Sequence, residues 1–141
     1  MMKPIKIIPN FSVRSVSETI KFYQNILDVK VKMVVLEENH TIEDHFVETE
    51  EYSYAMVYKN NLNMMFLKES TFVENVPHLE DFDMGASVLF YMDIERIDEF
   101  YKALQEKGVK VVKELTTTWY GIREFYIEDC NGYIIAFTEE V

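Results

Sequence analysis

Apolar and polar residues alternate along several short runs of this chain, and two longer runs carry apolar residues at helical spacing. The clearest alternation lies between Trp119 and Phe137. Ile122 to Ile127 reads as a strand, with Phe125 and Ile127 on one face and Glu124, Tyr126 and Glu128 on the other. Asp129-Cys-Asn-Gly132 supplies a turn, because Asn and Gly accept positive φ at low cost. Tyr133 to Phe137 is apolar on both faces, which predicts a strand covered on both sides. A weaker copy of this return strand stands upstream, from Asn61 to Glu69.

The remaining elements fall into two similar halves. In the first, Ile5 to Val13 reads as a strand, with Pro9 marking an edge or a bulge. Ser15 and Glu18 have capping-box spacing, and Val16, Ile20, Tyr23 and Ile26–Leu27 follow at helical intervals. Val29 to Leu36 alternates as a half-buried strand, and residues 37–51 form an acidic, weakly patterned loop. Tyr52 to Tyr58 and Leu62 to Lys68 are strands joined by a turn at Lys59-Asn-Asn61. Residues 70–85 read as a connection with room for one short helix.

In the second half, Ala86 to Met92 is a strand and Asp93 a candidate helix cap. Ile94, Ile97, Phe100–Tyr101 and Leu104 form a helical stripe that Gly108 stops. Val109 to Leu115 and the hairpin complete the half. Phe22-Tyr23 matches Phe100-Tyr101, Val29-Lys-Val31 matches Val109-Lys-Val111, and Asn61 to Glu69 matches Asn131 to Glu139. The expected fold is therefore α+β: two tandem βαβββ modules, about 5–69 and 86–139 within a single domain 1–141, joined by a linker over about 70–85. Each module curls its sheet, with the helix on the convex side and a cavity on the concave side.

Composition narrows the partners. Apolar residues at 48% and aromatics at 14% predict an ordered core. A formal charge of −11 disfavours nucleic acid and favours a cationic ligand. The single cysteine, Cys130, allows no internal disulfide and points to a reducing, cytoplasmic setting. No run is long and apolar enough for a membrane span or a signal peptide.

The repeat, together with Trp119, Gly121, Arg123-Glu124-Phe125, Asp129 and Gly132, resembles the vicinal-oxygen-chelate superfamily. That superfamily includes glyoxalase I, extradiol dioxygenases, fosfomycin-resistance enzymes and bleomycin-resistance proteins; the chain is most similar to the bleomycin-resistance and glyoxalase-like branch. The resemblance implies a divalent metal held by His and Glu on the concave strands. Carried over residue by residue, those positions fall near Ile8, near Ser87, at Ala136, and at Phe66 or its neighbours Met64 and Met65. None offers an imidazole, carboxylate or thiolate, so no metal, no other cofactor and no catalytic residue is expected. The resemblance also implies a homodimer that pairs or exchanges its N-terminal strands.

Alternation anchored at Ala136 sends Ile8, Asn10, Met64, Phe66, Ser87, Leu89, Tyr91, Glu124, Tyr126, Ile134 and Ala136 to the concave side. Phe11, Val13, Met65, Leu67, Val88, Phe90, Phe125, Ile127, Ile135 and Phe137 would face the helices. The expected ligand-binding set is Trp119, Glu124, Tyr126, Tyr91, Phe66, Met64, Leu89, Ser87, Ala136 and Ile8, a wall suited to a flat, partly aromatic molecule. By the resemblance, Trp119 would stack on the ligand.

Plainer readings stand beside these. Trp119 also fits an interface or the core. Glu124 also fits a pair with Arg123 or a surface lysine. Tyr91 and Tyr126 are ordinary strand residues, and Met64, Met65 and Phe66 suit a core. His40 and His45 lie in a solvated acidic segment, His78 beside Pro77 on the surface, and Cys130 has no activating base. Three functions are compatible: a metal-independent binding protein, an interaction module with a vestigial cavity, and a metal-dependent lyase, isomerase or dioxygenase.

Overall fold

A computed structural model describes residues 2–85 and 87–141. The chain divides into two compact units, the first ending at Phe82 and the second beginning at Asp83. Among the described residues, no helix is long and apolar enough to cross a membrane.

The first unit runs β1 (Asn10–Val13), α1 (Val16–Leu27), β2 (Lys30–Leu36), β3 (Ile42–Glu43), β4 (Tyr52–Lys59), β5 (Leu62–Lys68) and α2 (Glu69–Asn75), then a 3-10 turn over Pro77–Leu79. Its sheet has the order β1-β5-β4-β2-β3, with β1 parallel to β5 and the other pairs antiparallel. Helix α1 forms where the capping box predicts. Ser15 adopts extended dihedrals and its Oγ accepts the Glu18 N–H at 3.2 Å. The helix stops at Asp28, which takes a left-handed conformation at φ 54° and donates its N–H to Gln24 O.

Packing under α1 fixes which way the first sheet faces. Tyr23 of α1 stacks on Phe66 at 5.5 Å, and Phe66 touches Phe11 at 6.2 Å. Ala55 pairs with Phe66 and Val57 with Met64, and all four are buried. Met64 and Phe66 therefore belong to the helix-facing core, while Met65 turns to the opposite face. This reverses the expected assignment of Met64, Met65, Phe66 and Leu67.

The cause is a turn. Two residues, Asn60 and Asn61, separate β4 from β5, whereas residues 129–133 separate β8 from β9. Matching Asn61 to Asn131 carries β4 onto β8 in the correct phase, but it sets β5 against β9 one residue out. A slip of one residue flips every side chain of a strand.

The expected first strand is also shorter than its apolar run. It begins at Asn10, and Ile5 and Ile7 are 97% and 92% exposed. Pro9 has no N–H to donate; only its carbonyl joins the ladder, accepting from Met65 N at 2.9 Å. Within the acidic 37–51 segment, β3 adds a short edge, pairing Val34 with Glu43 and Val35 with Ile42.

The second unit runs β6 (Leu89–Asp93), α3 (Ile97–Glu106), β7 (Val111–Thr117), β8 (Ile122–Glu128) and β9 (Ile134–Glu140). The expected strand start at Ala86 lies outside the described residues. The order β6-β9-β8-β7, with β6 parallel to β9, repeats that of β1-β5-β4-β2. Two copies of a βαβββ unit are present, as the sequence predicts.

Phe100 and Tyr101 of α3 pack on Phe125, and Phe100 also meets Phe137 edge-on at 4.9 Å. Burial of Phe125 and Phe137 with Ile97, Leu104, Ile127 and Ile135 makes the core of the unit, edged by the half-buried Phe100 and Tyr101. The α3 cap differs from expectation. Asp93 accepts the Thr138 hydroxyl at 2.6 Å, and Glu139 instead receives the helix-start N–H groups of Arg96 and Ile97. Gly108, at φ +73°, ends the helix as expected.

Candidate functional site

The strand alternation that buries Phe125, Ile127, Ile135 and Phe137 against α3 turns Glu124, Tyr126, Ile134 and Ala136 to the opposite face. Register then assembles a cluster on that face. Tyr126 and Ala136 are direct partners across β8 and β9, and Tyr91 lies beside Ala136 across the parallel pair. The Tyr91 and Tyr126 hydroxyls approach to 3.4 Å, with their rings edge-to-face at 6.4 Å. Leu89 continues the apolar edge beside Ile134.

One member of the cluster comes from β7. Lys113 sits opposite Tyr126, next to a register shift in the β7–β8 pairing. Its Nζ donates to Glu124 Oε2 at 2.5 Å and lies 4.8 Å from the centre of the Tyr126 ring. The Glu124 side chain is only 3% exposed and that of Lys113 is 42% exposed. Glu124, expected to orient a ligand, thus has its carboxylate occupied by an internal partner.

These contacts shift titration. Hydrogen bonding to Glu124 holds the Lys113 ammonium above the usual lysine range, against a smaller opposing effect of desolvation. Tyr126 is pushed far above the usual tyrosine range, first by its hydrogen bond to Tyr91, then by burial, then by the neighbouring Glu124 carboxylate. Both groups keep their protons throughout the physiological range.

The other expected site residues lie elsewhere or differ in role. Phe66 and Met64 are buried beneath α1, so neither lines a wall on the opposite face. Ile8 is half-buried in the segment before β1, and Ser87 is exposed in a bend before β6. Trp119 occupies the β7–β8 turn, 95% exposed and edge-on to Tyr120 at 5.1 Å, which rules out its core reading. Arg123 faces α3 and grips Asp98 at 2.6 to 3.1 Å; it is not the partner of Glu124.

Sequence reasoning missed Lys113. The signal available was the alternating Val111-Val-Lys-Glu-Leu115 run, but the irregular β7–β8 register hides which residue of that run meets Glu124. It also missed a cleft of about 270 Å³ in the first unit, lined among others by Arg14, Glu37, Glu50, Tyr52 and Lys68. Polar groups there already pair with one another, as in Lys68 to Glu37 at 2.6 Å and Ser17 Oγ to the Glu50 carbonyl at 2.7 Å.

A divalent cation would need several carboxylate, imidazole or thiolate donors converging. Around Ala136 the second sheet offers two phenols, and the nearby Glu124 is held by Lys113. Among the described residues, no three His, Cys, Asp or Glu side chains are grouped to hold a metal. His45 pairs with its near neighbours Glu43 and Asp44 in the acidic segment, at 3.1 and 3.3 Å. The donor set on this face does not fit the ion that the superfamily's enzymes use.

Paired βαβββ units with one helix against each sheet define the architecture of the vicinal-oxygen-chelate fold. The chain belongs to the Glyoxalase/Bleomycin resistance protein/Dioxygenase superfamily, whose family model matches residues 9–137. Solved structures agree at the level of fold. A glyoxalase/bleomycin resistance protein/dioxygenase from Nocardioides is 13% identical, with a TM-score of 0.74 over 100% of this chain and 86% of that one. TioX from Micromonospora sp. ML1 is 10% identical, with a TM-score of 0.68 over 98% of this chain and 100% of that one. A glyoxalase-related enzyme from Clostridium phytofermentans is 16% identical, with a TM-score of 0.68 over 99% of this chain and 98% of that one. Comparison with curated protein sequences gave no match.

Proposed function

We propose that the protein is a metal-independent small-molecule binding protein of the bleomycin-resistance type, which sequesters a partly aromatic ligand on the face of its second sheet that turns away from α3. The observation that carries this reading is the surroundings of Ala136. A methyl group stands where the superfamily's enzymes are expected to use a metal-binding carboxylate, flanked by the Tyr91 and Tyr126 rings. Rings of this kind stack on flat ligands, and their hydroxyls fix orientation. The exposed Trp119 supports the same reading, because a large aromatic fully open to solvent suits a contact made only with a partner.

The test is a panel of planar aromatic compounds of positive, neutral and negative charge, read by backbone amide shifts. Compounds that shift Tyr91, Tyr126 and Ala136 together support the proposal. A panel that leaves all three unmoved overturns it. Elemental analysis of the purified protein is an independent check: one tightly bound metal per chain would favour the lyase, isomerase or dioxygenase reading instead.

Assembly as a homodimer forms part of the proposal. The exposed Ile5 and Ile7 support it, since a lone chain gains nothing by leaving both in water. Light scattering of the intact chain, against an Ile5→Asp/Ile7→Asp variant, measures it directly.

A further inference from the structure

The net charge of −11 suggests a cationic ligand, but contact is made with the groups at the surface of the site, not with the charge of the whole chain. Both β8 carboxylates that turn away from α3 are already neutralised: Glu124 by Lys113 and Glu128 by Lys110, each at 2.5 Å. In each pair the lysine is the more exposed partner. The Glu124 carboxylate is hidden, and Asp93, further along β6, accepts the Thr138 hydroxyl at 2.6 Å. Among the described residues, accessible groups beside the rings include the Lys113 ammonium, with three N–H donors of which Glu124 takes one, and the hydroxyl of Tyr91, a residue 63% exposed.

From this arrangement we infer that the site takes a planar aromatic ligand bearing an anionic oxygen group, such as a carboxylate or phenolate, held by Lys113 and Tyr91 while its ring lies against Tyr126. The inference rests on the binding role proposed above and adds the charge class of the ligand. Glu124 acts as a positioning residue: its carboxylate holds the Lys113 chain over the Tyr126 ring and keeps the ammonium from wandering into solvent. A carboxylate ligand arriving there would meet a charge-assisted donor and a phenol, and would leave the Lys113–Glu124 pair in place. An amidinium ligand would meet a like charge, with Glu124 and Glu128 already paired to lysines.

Three matched probes test this: naphthoate, naphthamide and naphthamidine, with affinity measured by titration of the intact protein. Naphthoate is expected to bind roughly tenfold more tightly than naphthamidine, the size of one charge-assisted hydrogen bond. Tyr91→Phe, which leaves the ion pair intact, should weaken naphthoate and leave naphthamidine unchanged. Lys113→Met combined with Glu124→Gln removes both charges together, avoids an unpaired buried carboxylate, and should erase the preference for naphthoate. Tighter binding of naphthamidine overturns the inference while leaving the binding role intact. Failure of all three probes to move Tyr91, Tyr126 and Ala136 overturns both.

Discussion

Glu139, near the end of β9, caps α3 across more than forty residues of chain: its Oε1 accepts the Ile97 N–H at 3.0 Å and its Oε2 the Arg96 N–H at 2.9 Å. The geometry is that of a capping carboxylate, but it is delivered by the sheet and not by the residue before the helix. Arg96 itself adopts a left-handed conformation at φ 56° and offers no side-chain cap. Replacing Glu139 by Ala should therefore cost about 1 to 2 kcal/mol, the range for a lost N-cap. Glu139→Gln should cost less, because an amide oxygen still accepts one bond. Urea denaturation midpoints of the two variants measure the difference.

The two faces of β5 give a second prediction, and they mark how far the sequence can be read. In β8 the strict alternation of Glu124 to Glu128 assigned both faces correctly, because Phe125 and Ile127 are the only apolar pair of that run that could meet α3. In the first sheet Leu62 to Leu67 is almost continuously apolar, so alternation carries no signal. The assignment then leaned on a match between turns of different length. Phe66→Ala should cost about 3 to 5 kcal/mol, as for a fully buried ring beneath Tyr23. Met65→Ala, on the opposite and half-buried face, should cost clearly less. Equal costs would contradict the register.

The candidate site was legible in part for the same reason. Tyr91, Tyr126, Ala136 and Leu89 follow from the alternation of the second half. Lys113 and the internal use of Glu124 depend on pairing across an irregular strand edge, which no local pattern encodes.

The Asp98–Arg123 pair gives a pH dependence with a definite sign. Arg123, on the α3 side of β8, holds the Asp98 carboxyl below the usual carboxylate range, mainly through hydrogen bonding. A carboxyl with a depressed native pKa binds protons more weakly when folded than when unfolded. Its contribution is complete above the ordinary carboxylate pKa of about 3.9 and is lost as pH falls through the native value. Asp98 also stands in the first turn of α3, where negative charge suits the helix dipole. Thermal melts taken from neutral pH into acid should fall less steeply for Asp98→Asn than for the parent chain. A parent curve that matches the variant would show that the pair adds no pH-linked stability.

Tyr126 should titrate apart from the other tyrosines. Its hydroxyl bonds to Tyr91, it is partly withdrawn from water, and the negative Glu124 carboxylate stands nearby, all of which oppose phenolate formation. Tyr91→Phe and Glu124→Gln should therefore each bring the Tyr126 ionisation down. Ultraviolet difference titration into the alkaline range, with Tyr126→Phe to assign the late component, reads both shifts. The Lys113 ammonium is raised by the same carboxylate, so its share of stability is complete at neutral pH and falls away only as pH climbs past the ordinary lysine range. Tyrosine ionisation and loss of the Lys113–Glu124 pair should thus overlap at the alkaline end. If a bound naphthoate draws on Lys113 and Tyr91, it should push the Tyr126 transition to still higher pH, because a second anion would then stand beside the phenol.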